Sequence, residues 1–168
     1  IPIRGANNNG HLFVKQAIEK GAKAVLWERQ EPNPPKDVVV ILVDDTTKAL
    51  QDLAKAYRHQ LKMKVVAISG SNGKTSTKEM ISSVLEQKFN VLKTAGNFNN
   101  EIGLPLTIFR IRKEHEVAVL EMGISDFDEM HRLSTMSNPN ISVITNIGFC
   151  HLENLKDRDG VLRAKTEC

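Results

Sequence analysis

Apolar and polar positions alternate along this chain in two periods, and the switches between them mark its elements. From His11 to Gly21 the apolar residues Leu12, Phe13, Ala17 and Ile18 recur at helical spacing and a glycine follows, which predicts a short amphipathic helix with a C-terminal glycine. Ala24 to Trp27 reads as a strand. The run Glu31-Pro-Asn-Pro-Pro35 is a loop, because neither a helix nor a central strand tolerates it. Val38 to Val43 is nearly continuous in apolar residues and reads as a strand buried on both faces. Asp45-Thr46 opens a helix whose apolar face is Ala49, Leu50, Leu53, Ala54 and Tyr57.

Beyond Leu61 the pattern becomes a regular strand–helix alternation. Strands are expected at 65–69, 91–93, 117–121 and 141–145, and helices at 74–88, 104–111, 127–135 and 160–167. This is the pattern of a doubly wound, mostly parallel sheet. The predicted fold class is α/β: a small N-terminal α/β domain over 1–61, then an incomplete phosphate-loop domain with a mostly parallel sheet over 62–168. No internal repeat or low-complexity tract interrupts it.

The most specific chemistry lies where the strand Val65 to Ile68 ends. Residues Gly70, Ser71, Asn72, Gly73, Lys74, Thr75 and Ser76 form a glycine-rich loop running into a helix. Glycines let backbone N–H groups approach a phosphate, and the helix adds its positive end. A lysine then reaches the terminal phosphates and a threonine hydroxyl can ligate Mg²⁺. The loop departs from the general pattern Gly-x-x-x-x-Gly-Lys-Ser/Thr: Ile68 stands where the first glycine belongs. The plainer reading is a helix start capped by Ser71 or Asn72; that reading does not call for two glycines followed at once by Lys-Thr-Ser.

Three more constellations stand out. Glu121 ends an apolar strand and enters a glycine turn, where a Mg²⁺-binding or water-polarising carboxylate is expected after a phosphate loop; the alternative is a carboxylate that caps the turn. His151 follows the strand Ile141 to Ile144 and is either a metal or phosphate ligand or a structural or solvent-facing histidine. Asn97, Asn99 and Asn100 are three amides in four residues ahead of Gly103-Leu-Pro105; they suit a loop that binds a polar ligand, or they cap turns. Lys165 by itself reads as a helical lysine on a solvated face.

Composition trims the possibilities. The chain has 168 residues, 40% hydrophobic and 26% charged, with net charge +3. That is a soluble globular profile, too mildly basic for nucleic acid, and its scattered phenylalanines read as core. Two cysteines, Cys150 and Cys168, make no disulfide framework and fit a reducing, cytoplasmic setting. No apolar run is long enough for membrane insertion. The start at Ile-Pro-Ile, without Met, and the end at Lys-Thr-Glu-Cys both read as cut, as in a piece of a longer protein.

Taken together, Gly70 to Met80, Gly96 to Thr107 (Gly-Asn-Phe-Asn-Asn-Glu-Ile-Gly-Leu-Pro-Leu-Thr), Leu120 to Gly123, Ile144 to Gly148 and His151-Leu-Glu153 resemble the Mur ligases. Pro2 to Gly5, Gly10 to Val14 and Gly21 to Val25 are similar to that family's N-terminal substrate domain. The run Gly96 to Thr107 is most similar to the type that adds D-alanyl-D-alanine to UDP-N-acetylmuramoyl-tripeptide. The resemblance implies an ATP-dependent ligase of peptidoglycan precursor synthesis that works through an acyl phosphate, as a monomer. Lys74 would hold the β- and γ-phosphates, Thr75 and Glu121 one Mg²⁺, and His151 a second. Asn97, Asn99 and Asn100 would lie near substrate, and Lys165 matches a lysine that several Mur ligases carry as a carbamate. The resemblance also implies a third domain, for the incoming amine, that this chain lacks. Alternatives are a relative with another acceptor, such as the ligase that adds the third amino acid or folylpolyglutamate synthase, and a nucleotide switch that does not ligate. Two departures from the type are Asp128 before Glu129-Met130, where a glycine is usual, and Lys156-Asp-Arg-Asp159 in place of a Gly-Ser-like turn.

Overall fold

Strands and helices alternate along the chain, and every strand pairing within its two sheets is parallel. The structure, a computed structural model, describes residues 1–5 and 7–168, which form two units, Ile1–Asp52 and Leu53–Cys168.

In the first unit a 3₁₀ turn, Gly10–Phe13, runs into helix α1, Val14–Glu19. Strands β1, Ala24–Glu28, and β2, Val39–Val43, pair in register from Ala24 opposite Val39 to Glu28 opposite Val43. Helix α2, Thr46–His59, begins where Asp45 caps it: Asp45 Oδ1 accepts from the N–H of Thr47 at 2.7 Å and of Lys48 at 2.9 Å. Two expectations fail here. The first helix buries His11 and Val14 and exposes Leu12, Phe13 and Ala17, because the tighter 3₁₀ turn changes its phase. Strand β2 is not buried on both faces. Among the described residues it pairs with β1 alone; Val38 and Val40 pack on Val14, Val25 and Trp27, while Val39, Ile41 and Leu42 stay exposed.

The second unit is built on a four-stranded parallel sheet in the order β4-β5-β3-β6. Its strands are β3, Lys64–Ser69; β4, Val91–Lys93; β5, Val117–Glu121; and β6, Ile141–Ile144. Alternation along β3 and β5 sends side chains to two cores. Val66, Ile68, Val117 and Val119 pack with Ile81 and Leu85 of helix α3, Lys74–Leu85. Val65, Ala67, Ala118 and Leu120 face the other way. They meet Leu104 and Ile108 of α4, Gly103–Ile108, Met130 and Leu133 of α5, Glu129–Ser137, and Val161 and Ala164 of α7, Arg158–Lys165. Helices on both faces explain why these strands read as unbroken apolar runs. From β3 the chain first builds one side of the sheet, β4 and β5, and then crosses to the other, β6. The loop after β3 therefore lies at the switch point where open α/β sheets bind ligands.

Buried Arg58 ties three chain segments together. Its guanidinium donates to Ser137 O at 2.9 Å, Leu61 O at 3.0 Å, Met63 O at 3.3 Å and Asn138 O at 3.4 Å. Two of those carbonyls lie at the negative C-terminal end of α5. A short helix the sequence pattern does not predict, α6, Leu152–Leu155, precedes α7, and α7 ends at Lys165 rather than 167. The reading of the phenylalanines as core fails for Phe13, Phe98 and Phe149, which are exposed in loops and turns.

Both departures from the resembled type fall on left-handed backbone. Asp128 has φ 62° and Lys156 φ 70°, conformations that favour glycine. Lys156, with ψ −63°, sits at the centre of a tight turn in which Asp157 N–H donates to Leu155 O at 2.9 Å.

Candidate functional site

Glycine is required at Gly70 by geometry. Its φ is 140°, and a Cβ there would lie 2.0 Å from Thr145 Oγ1 and 3.1 Å from Thr145 N. The loop is pressed against the end of β6 and latched to it. Ser71 N–H donates to Asn146 O (3.1 Å), Asn72 N–H to Asn146 Oδ1 (3.1 Å), Thr145 Oγ1 to Asn72 O (2.6 Å) and Gly148 N–H to Ser71 Oγ (2.9 Å). Gly73, at φ 78°, is the N-cap of α3 and no side chain caps that helix. The capping role offered for Ser71 or Asn72 is therefore absent. The first N–H groups of α3, on Lys74, Thr75 and Ser76, have no partner within the helix and stand with its positive end at the loop. That is the donor set of a phosphate cradle. Ile68 fills the place of the first glycine because it is a buried strand residue. It lies in register with Glu121, and its carbonyl accepts from Met122 N–H at 2.8 Å.

That register brings Glu121 beside the loop. Glu121 is 3% exposed, and both its oxygens are engaged: Thr75 Oγ1 donates to Oε2 at 3.0 Å and Asn99 Nδ2 to Oε1 at 2.9 Å. It does not cap the turn after β5. Hydroxyl and carboxylate oxygens 3.0 Å apart at a phosphate cradle fit a hard cation such as Mg²⁺. Lys74 folds back on the loop, its Nζ donating to Gly70 O at 2.9 Å and Ser71 O at 3.4 Å.

The other expected residues divide. Asn100 caps a turn, its Oδ1 accepting from Gly103 N–H at 2.8 Å and Ile102 N–H at 3.2 Å. Asn97 is exposed, while Asn99 joins Glu121. His151 is exposed at the start of α6 in left-handed conformation (φ 51°), with Glu153 3.9 Å away. No hydrogen bond or ion pair joins it to Glu121 among the described residues. Its neighbour Cys150 does reach the loop, donating from Sγ to Ser71 Oγ at 3.2 Å. Lys165 is 1% exposed, which overturns the solvated reading. Burial pushes its ammonium below the ordinary lysine range; nearby Cys150 opposes this and the Lys74 charge adds to it. Lys165 thus belongs to the same neighbourhood as the phosphate loop.

Sequence reasoning missed two residues. Lys78 is buried against Glu121, and Thr94 Oγ1 accepts from Glu121 N–H at 3.0 Å. The helical spacing of Lys78, one turn after Lys74, was the available signal. Also unforeseen is a group in the first unit, His11, Glu28 and Glu31, whose ligand atoms lie within 4.8 Å of one another. Its members already have partners: Arg4 pairs with Glu31, Asn9 Oδ1 lies 2.9 Å from His11 Nδ1, and Thr46 Oγ1 donates to Glu28 at 2.9 Å.

Comparison with known proteins finds matches along nearly the whole chain. Residues 68–168 match the Mur ligase middle domain, and residues 1–58 the Mur ligase family catalytic domain. Over 167 residues the chain is 53% identical to the UDP-N-acetylmuramoyl-tripeptide–D-alanyl-D-alanine ligase of Bacillus subtilis, covering 99% of this chain and 36% of that protein. The enzyme of the same name from Escherichia coli is 37% identical, again over 99% of this chain and 36% of the relative. Among solved structures, MurF from Acinetobacter baumannii has TM-score 0.92 and 36% identity, covering 99% of this chain and 36% of that one. The MurF ligase from Thermotoga maritima in complex with ADP has TM-score 0.89 and 35% identity, with coverages of 99% and 38%. The chain therefore spans a little over a third of the length of the curated relatives it matches. With a phosphate cradle, a strand-end carboxylate and these matches along nearly all its length, the chain belongs to the Mur ligase family.

Proposed function

We propose that this chain carries the nucleotide site of an ATP-dependent ligase that joins D-alanyl-D-alanine to UDP-N-acetylmuramoyl-tripeptide in peptidoglycan precursor synthesis. The observation that carries this reading is the two-sided hold on Glu121, by Thr75 of the phosphate loop and by Asn99 of the amide-rich loop. One carboxylate links the nucleotide side of the site to the loop most like the D-alanyl-D-alanine type. The names of the relatives and the ADP complex from T. maritima support the same reading.

In the reaction a carboxylate oxygen of the tripeptide attacks the γ-phosphorus of ATP. The bond from that phosphorus to the ADP oxygen breaks, and an acyl phosphate forms. The amine of D-alanyl-D-alanine then attacks the acyl carbon, the carbon–oxygen bond to phosphate breaks, and the nitrogen loses a proton to leave an amide. Charge accumulates on phosphoryl oxygens throughout, so positioning and neutralisation are what the protein supplies. Lys74 turns from its own loop carbonyls to the β- and γ-phosphates, where the first amides of α3 also point. Thr75 and Glu121 would hold one Mg²⁺ and His151 a second, and the ions would supply neutralisation of phosphate charge. Asn97, Asn99 and Asn100 line the substrate side, and Lys165, buried and of lowered basicity, is suited to carry a carbamate. Residues 1–61 serve the UDP-sugar peptide and 62–168 the nucleotide, in a cytoplasmic, monomeric enzyme.

The test is ADP release by the intact protein given UDP-N-acetylmuramoyl-tripeptide and ATP. Release that requires D-alanyl-D-alanine is the expected result. Release that requires a free diamino acid instead would assign a different acceptor, and release indifferent to any amine would favour a nucleotide switch.

A further inference from the structure

Lys78 is the most deeply buried charge in the second unit that the reaction above leaves unused. It is 2% exposed, projects from α3 one turn beyond Lys74, and sits between the helix and the sheet. Burying an ammonium is costly unless it is paired and hydrogen-bonded, and here its surroundings do both. Its Nζ donates to Thr94 O at 2.9 Å, pairs with Glu79 Oε1 at 3.1 Å and lies 3.8 Å from Glu121 Oε2. The same Thr94 accepts the N–H of Glu121 on its hydroxyl at 3.0 Å. Lys78 therefore touches Glu121 by two routes: by charge at the carboxylate, and through Thr94 at the backbone.

The geometry points to a role in metal binding. We propose that Lys78 is a positioning residue that holds the Glu121 carboxylate and the end of β4 in the arrangement that takes up the nucleotide's divalent cation. This rests on the nucleotide reading above. Lys78 is the protein's own counter-charge to Glu121, at Oε2 rather than the Oε1 that Asn99 holds, and it is out of reach of solvent screening. At 3.8 Å it is too far for a hydrogen bond, so Oε2 keeps Thr75 as its donor and stays directed at the loop. The outer partners of Lys78 are different in kind. Glu79 continues through Lys93 (2.8 Å) to Glu86 (3.5 Å), an exposed chain of pairs that salt screens. A helix-to-sheet anchor alone would need Thr94 O and Glu79. The approach to Glu121 is the part such an anchor does not require.

The experiment is a Mg²⁺ titration of ATP binding by the intact protein, for wild type, Lys78→Met, Lys78→Arg and Thr94→Val, with thermal melts as the control for folding. In Lys78→Met the Mg²⁺ midpoint should rise about tenfold, the size expected when a supporting residue behind a metal ligand is removed. ATP binding in EDTA should stay within about twofold, because it uses Lys74 and the loop amides. Lys78→Arg should recover most of the loss and Thr94→Val should raise the midpoint severalfold. An unchanged midpoint in folded Lys78→Met overturns the proposal. So does equal loss of ATP binding with and without Mg²⁺, which marks a plain anchor. If Lys78→Met does not fold, an unchanged midpoint in Thr94→Val overturns it instead. A wild type that binds no ATP would refute the nucleotide reading itself; a wild type that binds Mg²⁺ and ATP beside an unaffected Lys78→Met refutes only this inference.

Discussion

Strands β2 and β5 read alike in sequence and end differently in the fold. Val39–Val43 and Val117–Glu121 are both five-residue strands, Val117 to Leu120 being as apolar as β2. Every residue of β5 is buried, between β4 and β3 and under helices on both faces. In β2 Val39 is 63% exposed and Ile41 50%, on the outer strand of a pair. An apolar run states that a segment can be buried; how many neighbours arrive decides whether it is. The charged residues give the same lesson with the sign reversed. Lys165 reads as a surface position, and with Lys78 it is among the largest fully buried side chains.

The comparison can be broken experimentally, first at the loop that β5 supports. Gly70→Ala places a methyl on Thr145, and Lys74→Ala removes the charge of the phosphate cradle. Either should weaken ATP binding by about 100-fold or more, Gly70→Ala by displacing the loop and Lys74→Ala by losing a charged hydrogen bond in a partly buried site; equilibrium binding of ATP checks it. Next come the strands themselves. Leu120→Ala in β5 should cost about 3 kcal/mol and Ile41→Ala in β2 under about 1 kcal/mol, the difference between a closed and an open site. Urea unfolding reads both, with far-UV circular dichroism following the whole chain and the single tryptophan, Trp27, following the first unit. Equal costs would mean that β2 is covered in solution and would end the contrast. Smaller still, Lys156→Gly should stabilise by about 1 kcal/mol by relieving a left-handed turn, seen as a higher melting temperature.

The last effect is a slope. The basicity of Lys165 is lowered by burial, so the unfolded chain holds a proton that the folded one has released. In the window between the lowered folded value and the ordinary 10.5, wild-type stability should rise with pH, and it should be lost again as pH falls through the folded value. Lys165→Met should flatten that part of the profile, measured as melting temperature against pH. A wild type with no rise would place Lys165 in contact with water.

Much of the site was legible because its signals are local. The glycine loop, its lysine and threonine, and the carboxylate at the end of β5 each follow from a few adjacent residues and a period-two strand. Asn99 and Asn100 show the limit. They are neighbours of the same type, yet one joins Glu121 and the other caps its own turn, and only the path of the chain separates them. Thr94 carried no signal, since a threonine after a short strand is ordinary until β4 comes to lie beside β5.

The sequence by itself determined the order of elements apart from α6, the cap at Asp45, the phosphate loop and the strand end that bears Glu121. These depend on backbone preference and side-chain period, which a residue shares with its near neighbours. Only the tertiary structure decided that β2 stays open while β5 is closed, that Lys78 and Lys165 are buried, and that Thr75 and Asn99 meet on one carboxylate. Burial and partnership between distant residues are set by sheet order and by the layers above it, and no short stretch of chain contains either.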